Sequence, residues 1–272
     1  MARPLRIAAV GECCLDHYTG EQTPRLGGIT YNFALHAARA FENAEIHLIS
    51  SVGHDARDAF VGELDAAGVH HDLAAAERTP SLGIRLDDAG ERTFFDYDPG
   101  SLLDWEPTAS QRETIESADY VVLTRYHEIA SLFERLVRLP TRGQRVVDFA
   151  DISNAQSAEL PRIVADHGLA DVCIFGLAPH ETAARTWLTS LARDHAGLFV
   201  ITLASEGAVA VEQSTTTHQP AFPVAEVVDT TGAGDCFAAH FLSRWCTEGD
   251  VGQALTDGCF AASQIIQRRG AS

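Results

Sequence analysis

Short apolar runs alternate with amphipathic segments along most of this chain. The apolar runs predict β-strands, and helices are predicted over residues 31–41 and 56–67, the second closed by Gly68. Strands that alternate with helices are typical of a doubly wound, mostly parallel α/β sheet with helices on both faces. The predicted strands span residues 5–10, 46–52, 120–124, 146–149, 172–175 and 199–203.

One region interrupts this alternation. Two extended runs between residues 81 and 97 flank a turn-rich centre, Asp87-Asp88-Ala89-Gly90, and so predict a β-hairpin. The hairpin is either an edge decoration or a lid over the carboxyl ends of the strands, where open α/β sheets bind their ligands. We therefore expect a single domain over residues 1–272, with lid elements near 12–26 and 80–98.

The composition is that of a globular protein. Hydrophobic residues make up 46% of the 272 residues and charged residues 21%, and a chain of this length can bury a sizeable core. No stretch holds the roughly 18 uninterrupted apolar residues of a membrane helix, and the first apolar run is too short for a signal peptide. We expect a cytoplasmic protein whose six cysteines are reduced, since none forms a C-x-x-C pair.

The charge balance excludes several classes of function. The formal net charge is −18, and all 20 basic residues are arginine. A chain this acidic is not expected to bind nucleic acid or an anionic membrane surface. Without lysine it can have neither a Walker A loop nor the Schiff base of a pyridoxal-phosphate enzyme. Salt adaptation and a high-GC genome explain the missing lysine equally well.

The strongest local signal lies at residues 227–237, Val-Val-Asp-Thr-Thr-Gly-Ala-Gly-Asp-Cys-Phe. An extended run leads into a turn of small residues and then into a helix that is predicted to begin near Asp235. Gly232, Ala233 and Gly234 let the backbone approach a ligand, and their N–H groups form an anion pocket of the kind that phosphoryl transfer needs. Asp235 would then accept a proton from a substrate hydroxyl. The alternative is a glycine turn in which Asp235 only caps the helix.

This string resembles the D-T-x-G-A-G-D signature of the PfkB or ribokinase-type carbohydrate kinases, complete from Asp229 to Asp235. The resemblance implies a ribokinase-like α/β fold with a small β lid. It also implies transfer of the γ-phosphoryl group of ATP, with Mg²⁺, to a hydroxyl of a sugar or sugar derivative. In that family the aspartate that matches Asp235 is the catalytic base, and the amides that match residues 232–235 form the anion hole.

The resemblance extends to a sugar site near the N-terminus. Gly11-Glu12 matches the end of the family's first strand, and residues 27–34 match its G-G-x-x-x-N-x-A signature. A carboxylate and an amide are suited to bind vicinal hydroxyls, and the hairpin is expected to cover the substrate. The substrate-binding residues so implied are Asp16, Gly28, Asn32, Arg92 and Tyr97.

A nucleotide site is implied as well. The family's T-L-G-x-x-G loop appears at residues 202–207, with Ala204 in place of the first glycine. Ala204 must therefore adopt a negative φ or bear backbone strain. The cofactor-binding residues implied are Thr202, Ala204, Gly207, Asp229, Thr231, Cys259 and Ser263.

The metal segment departs from the family pattern. Many members carry N-x-x-E, which organises Mg²⁺ and its waters, whereas His180 replaces the Asn here and Ala183 replaces the Glu. Glu181 is the candidate to act on the metal from a neighbouring position. The alternative is a solvated glutamate at a helix start.

Within the family, residues 95–100, 147–151 and 261–271 most resemble the fructoselysine-kinase branch, so a fructosamine is a candidate substrate. Arg125 would then bind the carboxylate of its amino-acid part, or would be a plain surface arginine. A nucleoside kinase of the same fold is one alternative function. A non-catalytic sugar or nucleotide sensor is the other, suggested by the altered metal segment. The lid hairpin is also a candidate homodimer contact.

Overall fold

The structure, a computed structural model, describes residues 3–153 and 159–271. The strands β1 to β13 are Leu5–Val10, Cys14–Tyr18, Arg25–Gly27, Ala44–Gly53, His70–Ala76, Ser81–Leu86, Arg92–Asp98, Tyr120–Thr124, Gln144–Asp151, Val172–Gly176, Leu198–Thr202, Ala208–Glu212 and Thr215–Gln219. The helices α1 to α8 are Ile29–Ala40, Arg57–Ala67, Ala109–Ser117, Ala130–Leu136, Leu160–Ile163, Thr182–Arg193, Ala233–Glu248 and Val251–Ile265.

Nine of the strands form one sheet in the order β13-β12-β11-β10-β9-β8-β1-β4-β5. The pairs from β11 to β5 are parallel, and β12 and β13 add an antiparallel edge. The predicted doubly wound, mostly parallel sheet is therefore confirmed. The pattern of apolar runs missed β5, β12 and β13. The edge strands β5 and β13, HHDLAAA and TTTHQ, are too polar to be recognised as buried strands.

The sheet is buried on both faces, and each face has its own apolar core. One core packs α1, α2, α7 and α8 against the sheet, and the other packs α3 to α6 against the opposite face. Successive strand residues point to opposite faces, so in β9 Val146 enters the first core, whereas Val147 and Phe149 enter the second. This alternation decides which side chains at the strand ends can meet the start of α7.

A second sheet has four strands in the order β3-β2-β6-β7, and the predicted hairpin supplies its β6 and β7. The tip of the hairpin lies against the glycine-rich loop, since the Thr230 N–H donates to the Gly90 carbonyl over 3.1 Å. A Cβ at Gly90 would come within 2.9 Å of the Val227 carbonyl oxygen. The hairpin is thus packed against the segment that carries the candidate chemistry, and we call this four-stranded sheet the lid.

Two expectations about the whole chain can be checked directly. All six cysteines are free, as predicted. Among the helices in residues 3–153 and 159–271, none is long and apolar enough to cross a membrane.

Candidate active site

The first turns of two helices meet at the carboxyl end of the central strands. Asp235 is 7% exposed and lies in the first turn of α7, which begins at Ala233, near Asp235 as predicted. The Asn32 side chain on α1 donates from Nδ2 to Asp235 Oδ2 over 2.9 Å. The buried Asn32 Oδ1 has no partner within the described chain. One amide acceptor beside Asp235 is therefore left for a ligand.

Burial raises the pKa of the Asp235 carboxyl to about 7. The Asn32 hydrogen bond opposes this shift, the Asp148 carboxylate adds to it, and the Arg92 guanidinium lowers the pKa again. A carboxyl group with a pKa near neutrality suits a general base, because it can both accept and release a proton at working pH.

Asp16 lies on β2 and is 4% exposed. Burial, with the nearby Glu12 and Asp235 carboxyl groups, raises its pKa to about 8. A Cβ at Gly27 would come within 2.5 Å of Asp16 Cγ, so only glycine leaves room for this carboxylate. Gly28 starts α1 with a φ of 99°, a conformation that side chains disfavour.

Glu12, at the end of β1, anchors the lid to the large sheet. The Tyr97 hydroxyl on β7 donates to Glu12 Oε1 over 2.7 Å, and the Tyr126 hydroxyl donates to the Tyr97 oxygen over 3.2 Å. Burial raises the pKa of Glu12. No motif in the sequence points to Tyr126, and Glu12 belongs only to a strand-end motif.

The glycine-rich loop is held by buried hydrogen bonds. Asp229 is fully buried and accepts from the Thr231 N–H, the Gly270 N–H and the Tyr18 hydroxyl over 2.9, 3.0 and 3.0 Å. Gly232 has a φ of 77°, and a Cβ there would come within 2.7 Å of the Cα of Ala271. Asp229, which the family resemblance assigns to the cofactor, is thus engaged with protein donors and fixes the shape of the loop.

Two features border the start of α7. Arg92 donates from Nη1 to Thr230 Oγ1 over 3.2 Å, which places the lid guanidinium beside the loop. A Cβ at Gly234 would meet no atom of the described residues within 4 Å. The first turn of α7 therefore borders open space, into which a phosphate oxygen can approach the helix N-terminus.

Two groups of predicted nucleotide residues lie close together: those at the end of β11 and in the loop after it, and those on α8. Thr202 ends β11, and Ala204 follows with a φ of 45°, so the structure takes the strained of the two alternatives predicted for this alanine. A Cβ at Gly207 would come within 2.6 Å of the Pro220 carbonyl carbon, next to Gln219, whose carbonyl oxygen is 3.9 Å from Cys259 Sγ on α8. The loop and α8 therefore border the same segment. Ser263, one turn further along α8, donates to the Phe260 carbonyl oxygen.

The candidate metal residue stands apart from these contacts. Glu181 caps the start of α6 without a capping hydrogen bond, and its side chain is 28% exposed. His180 Nε2 lies 3.6 Å from Glu181 Oε1. No group of three His, Cys, Asp or Glu side chains suited to a metal occurs among the described residues. One accessible carboxylate is nevertheless compatible with Mg²⁺, which is held chiefly by phosphate and water oxygens.

The structure does not bring Arg125 to the carboxylates. Val121 and Leu123 of β8 enter the core on the α3 to α6 face, and the same alternation sends Arg125 to that side. The charges that act on its guanidinium are those of Asp166, Glu134 and Arg162. Strand alternation in the sequence, counted through residue 125, would have given this result.

The chain is similar to known proteins over nearly its whole length. The model of the pfkB family of carbohydrate kinases matches residues 7–272. The chain is 25% identical to the fructoselysine 6-kinase of Shigella flexneri over 97% of this chain and 98% of that protein. It is 26% identical to the 2-dehydro-3-deoxygluconokinase of Escherichia coli over 98% and 96%. The crystal structure of adenosine kinase from Sinorhizobium meliloti shares the fold, with a TM-score of 0.81 at 19% identity over 99% and 96% of the two chains.

Proposed function

The chain belongs to the pfkB family of carbohydrate kinases, which transfer a phosphoryl group to a hydroxyl, and we propose that it uses ATP and Mg²⁺ to phosphorylate a sugar derivative with Asp235 as general base. The observation that carries this proposal is the Asp235 carboxyl. It is buried, has a pKa raised to about 7, and lies in the first turn of a helix that begins at a glycine-rich loop. That combination supports a proton acceptor next to an anion pocket formed by the loop.

Each side chain then has a defined task. Asp16 and the unpartnered Asn32 Oδ1 bind hydroxyls of the substrate. Asp235 accepts the proton of the reacting hydroxyl, while the amides of residues 232–235 stabilise the charge that develops on the transferred group. Arg92 and Tyr97 cover the substrate from the lid and exclude water. Mg²⁺ would neutralise the phosphate charge, with Glu181 the residue to hold it through water.

Nucleotide binding is assigned to the segment between β11 and α8. Thr202, Ala204 and Gly207 would form the loop against the nucleotide, and Thr231, Cys259 and Ser263 would complete the site. Asp229 would act indirectly, by fixing the loop through its three hydrogen bonds. A cytoplasmic location and a homodimer contact through the lid also belong to this proposal.

The substrate we favour is a fructosamine such as fructoselysine. The support is the full-length similarity to fructoselysine 6-kinase, in agreement with the strings at residues 95–100, 147–151 and 261–271. A nucleoside kinase is the second candidate, because adenosine kinase shares the fold over 99% of this chain. A non-catalytic sensor is the third, but a sensor has no need of a buried base with a pKa near neutrality.

The test is an ATP-consumption assay with Mg²⁺ across sugars, fructosamines, sugar acids and nucleosides. We expect turnover with a fructosamine to exceed turnover with adenosine. Faster turnover of nucleosides would establish the second candidate instead. Ligand binding without ATP consumption would establish the sensor, and the Asp235→Asn variant serves as the catalytic blank.

A further inference from the structure

Asp148 is a carboxyl group that the proposed mechanism does not use. It lies in β9 two residues after Val146, so it points to the α1 and α7 face of the sheet. It pairs with Thr124 of β8, one residue beyond the row in which Val10, the last residue of β1, pairs with Leu123, and its charge raises the pKa of Asp235. Asp148 therefore lies level with the end of β1, on the face of the sheet that α7 and the proposed base cover.

One of its two oxygens is held and the other is not. The Ala150 N–H donates to Asp148 Oδ1 over 2.8 Å, in a turn where Ala150 has a φ of 56°. That N–H is the one donor to this carboxylate among the described residues. The residue is only partly buried. A fixed carboxylate thus offers one free oxygen to whatever occupies the pocket.

A second, independent group also lacks a donor. Asn32 is 3% exposed, and its Oδ1 has no partner although its Nδ2 is engaged with Asp235. The pocket thus presents two unfilled acceptors, of which the amide oxygen is fully desolvated. Leaving a buried acceptor unpaired destabilises the protein, so a ligand that binds in this pocket is expected to bring hydrogen-bond donors.

Positive charge from the protein does not balance these acids. Arg92 is the cation that acts on Asp235, and its guanidinium donates to Thr230. Arg125 lies on the opposite face of the sheet, as shown above. Burial raises the pKa of Asp148 and the Ala150 N–H lowers it, and no cation is among the causes.

We propose that Asp148 binds a protonated amine of the substrate, so that the pocket selects sugar derivatives that carry an ammonium group near the reacting hydroxyls. This inference rests on the proposed function, because it assumes that a sugar occupies this pocket. An ammonium group donates a charge-assisted hydrogen bond to the free Asp148 oxygen. It also offsets the repulsion among Glu12, Asp16 and Asp235, which a neutral sugar cannot do and which a sugar acid would increase.

The test compares two derivatives of one sugar, of which one carries a positive charge on its nitrogen and the other is neutral. One is 1-deoxy-1-methylamino-fructose, whose amine is protonated at neutral pH, and the other is its N-acetyl derivative, which is neutral. Steady-state kinetics with saturating ATP and Mg²⁺ give kcat and KM for both. We expect wild-type kcat/KM for the amine to exceed that for the acetylated sugar by about tenfold or more, as a hydrogen bond to a charged group implies.

Asp148→Asn keeps the shape and the acceptor for the Ala150 N–H while it removes the charge. We expect this variant to lose most of the preference, chiefly through a higher KM for the amine, with little change for the acetylated sugar. Asp58→Asn is the matched control, because this substitution removes the same charge elsewhere. Asp58 is exposed and lies in the first turn of α2, away from the pocket. Equal losses on both substrates, or a wild type without preference, would overturn the inference.

Binding without turnover separates this inference from the proposed function. Calorimetric titration of the two sugars, without ATP, measures the preference directly in wild type and Asp148→Asn. One outcome is that neither sugar is phosphorylated, but the amine binds more tightly than the acetylated sugar in wild type and not in Asp148→Asn. The proposed kinase substrate is then wrong, and the ammonium site is supported. If phosphorylation occurs and the two sugars bind alike, the kinase assignment stands and the ammonium site fails.

Discussion

The glycine-rich loop at residues 229–235 and the metal segment at residues 178–183 are held in opposite ways. Hydrogen bonds from the lid, α1, β2 and the C-terminal segment converge on the loop, and its Asp229 is fully buried. In the metal segment, Glu181 is partly exposed and has the exposed His180 as its side-chain neighbour. A buried polar group requires hydrogen-bond partners, so the loop motif predicts that other segments donate to it. An accessible glutamate needs no such partners, so its sequence position predicts nothing about its neighbours.

The largest effect should follow from the base at the end of the loop. Asp235→Asn keeps an acceptor for Asn32 but removes the charge that takes the proton. We expect kcat to fall about 10² to 10⁴-fold with sugar binding largely kept. Stopped assays of product, with calorimetry of the sugar, measure the two quantities separately. Near-wild-type turnover would remove Asp235 from the mechanism and leave the loop a purely structural device.

The pH profile tests the same group without a mutation. The carboxyl must be ionised to accept a proton, and burial raises its pKa to about 7. We therefore expect kcat/KM to fall as pH drops through 7, approaching about tenfold per pH unit below that value. Since Asp16 and Asp148 titrate nearby, with pKa values raised to about 8 and 6, the profile reports the coupled group. A flat profile down to pH 5 would contradict the raised pKa.

The glycine-rich loop should be destabilised by a single methyl group added at Gly232. Gly232→Ala places a Cβ against the Ala271 backbone at a φ of 77°, and we expect it to lower the free energy of unfolding by about 1–3 kcal/mol. Gly234→Ala is the matched control, since its Cβ meets none of the described atoms within 4 Å. Urea unfolding of both variants measures the difference. Equal stability would mean that the C-terminal segment does not confine the loop.

The sequence predicted the fold and the loop because both depend on local patterns. The apolar runs gave β1 and β8 with their observed bounds, and the string from Asp229 to Asp235 carries its own turn chemistry. Asp148 and Tyr126 were missed because their importance comes from neighbours far away in the chain. Arg125 was proposed from its position after a strand, but which face a strand residue meets depends on its alternation with the core residues before it.

The smallest effect belongs to the metal segment. Mg²⁺ in kinase sites is held mainly by phosphates and waters, so the loss of one carboxylate that acts through water should cost little. We expect Glu181→Gln to raise the Mg²⁺ concentration for half-maximal rate by roughly two- to fivefold, without a change in kcat, because a partly exposed carboxylate that acts through water contributes little beside the phosphate oxygens. Glu42→Gln, at an exposed glutamate, controls for net charge. The double variant His180→Asn with Ala183→Glu restores the family pattern and should lower that concentration. If neither change alters the Mg²⁺ concentration for half-maximal rate, residues 178–183 do not bind the metal. The glycine-rich loop is then the functional one of the two segments, and residues 178–183 have only a structural role.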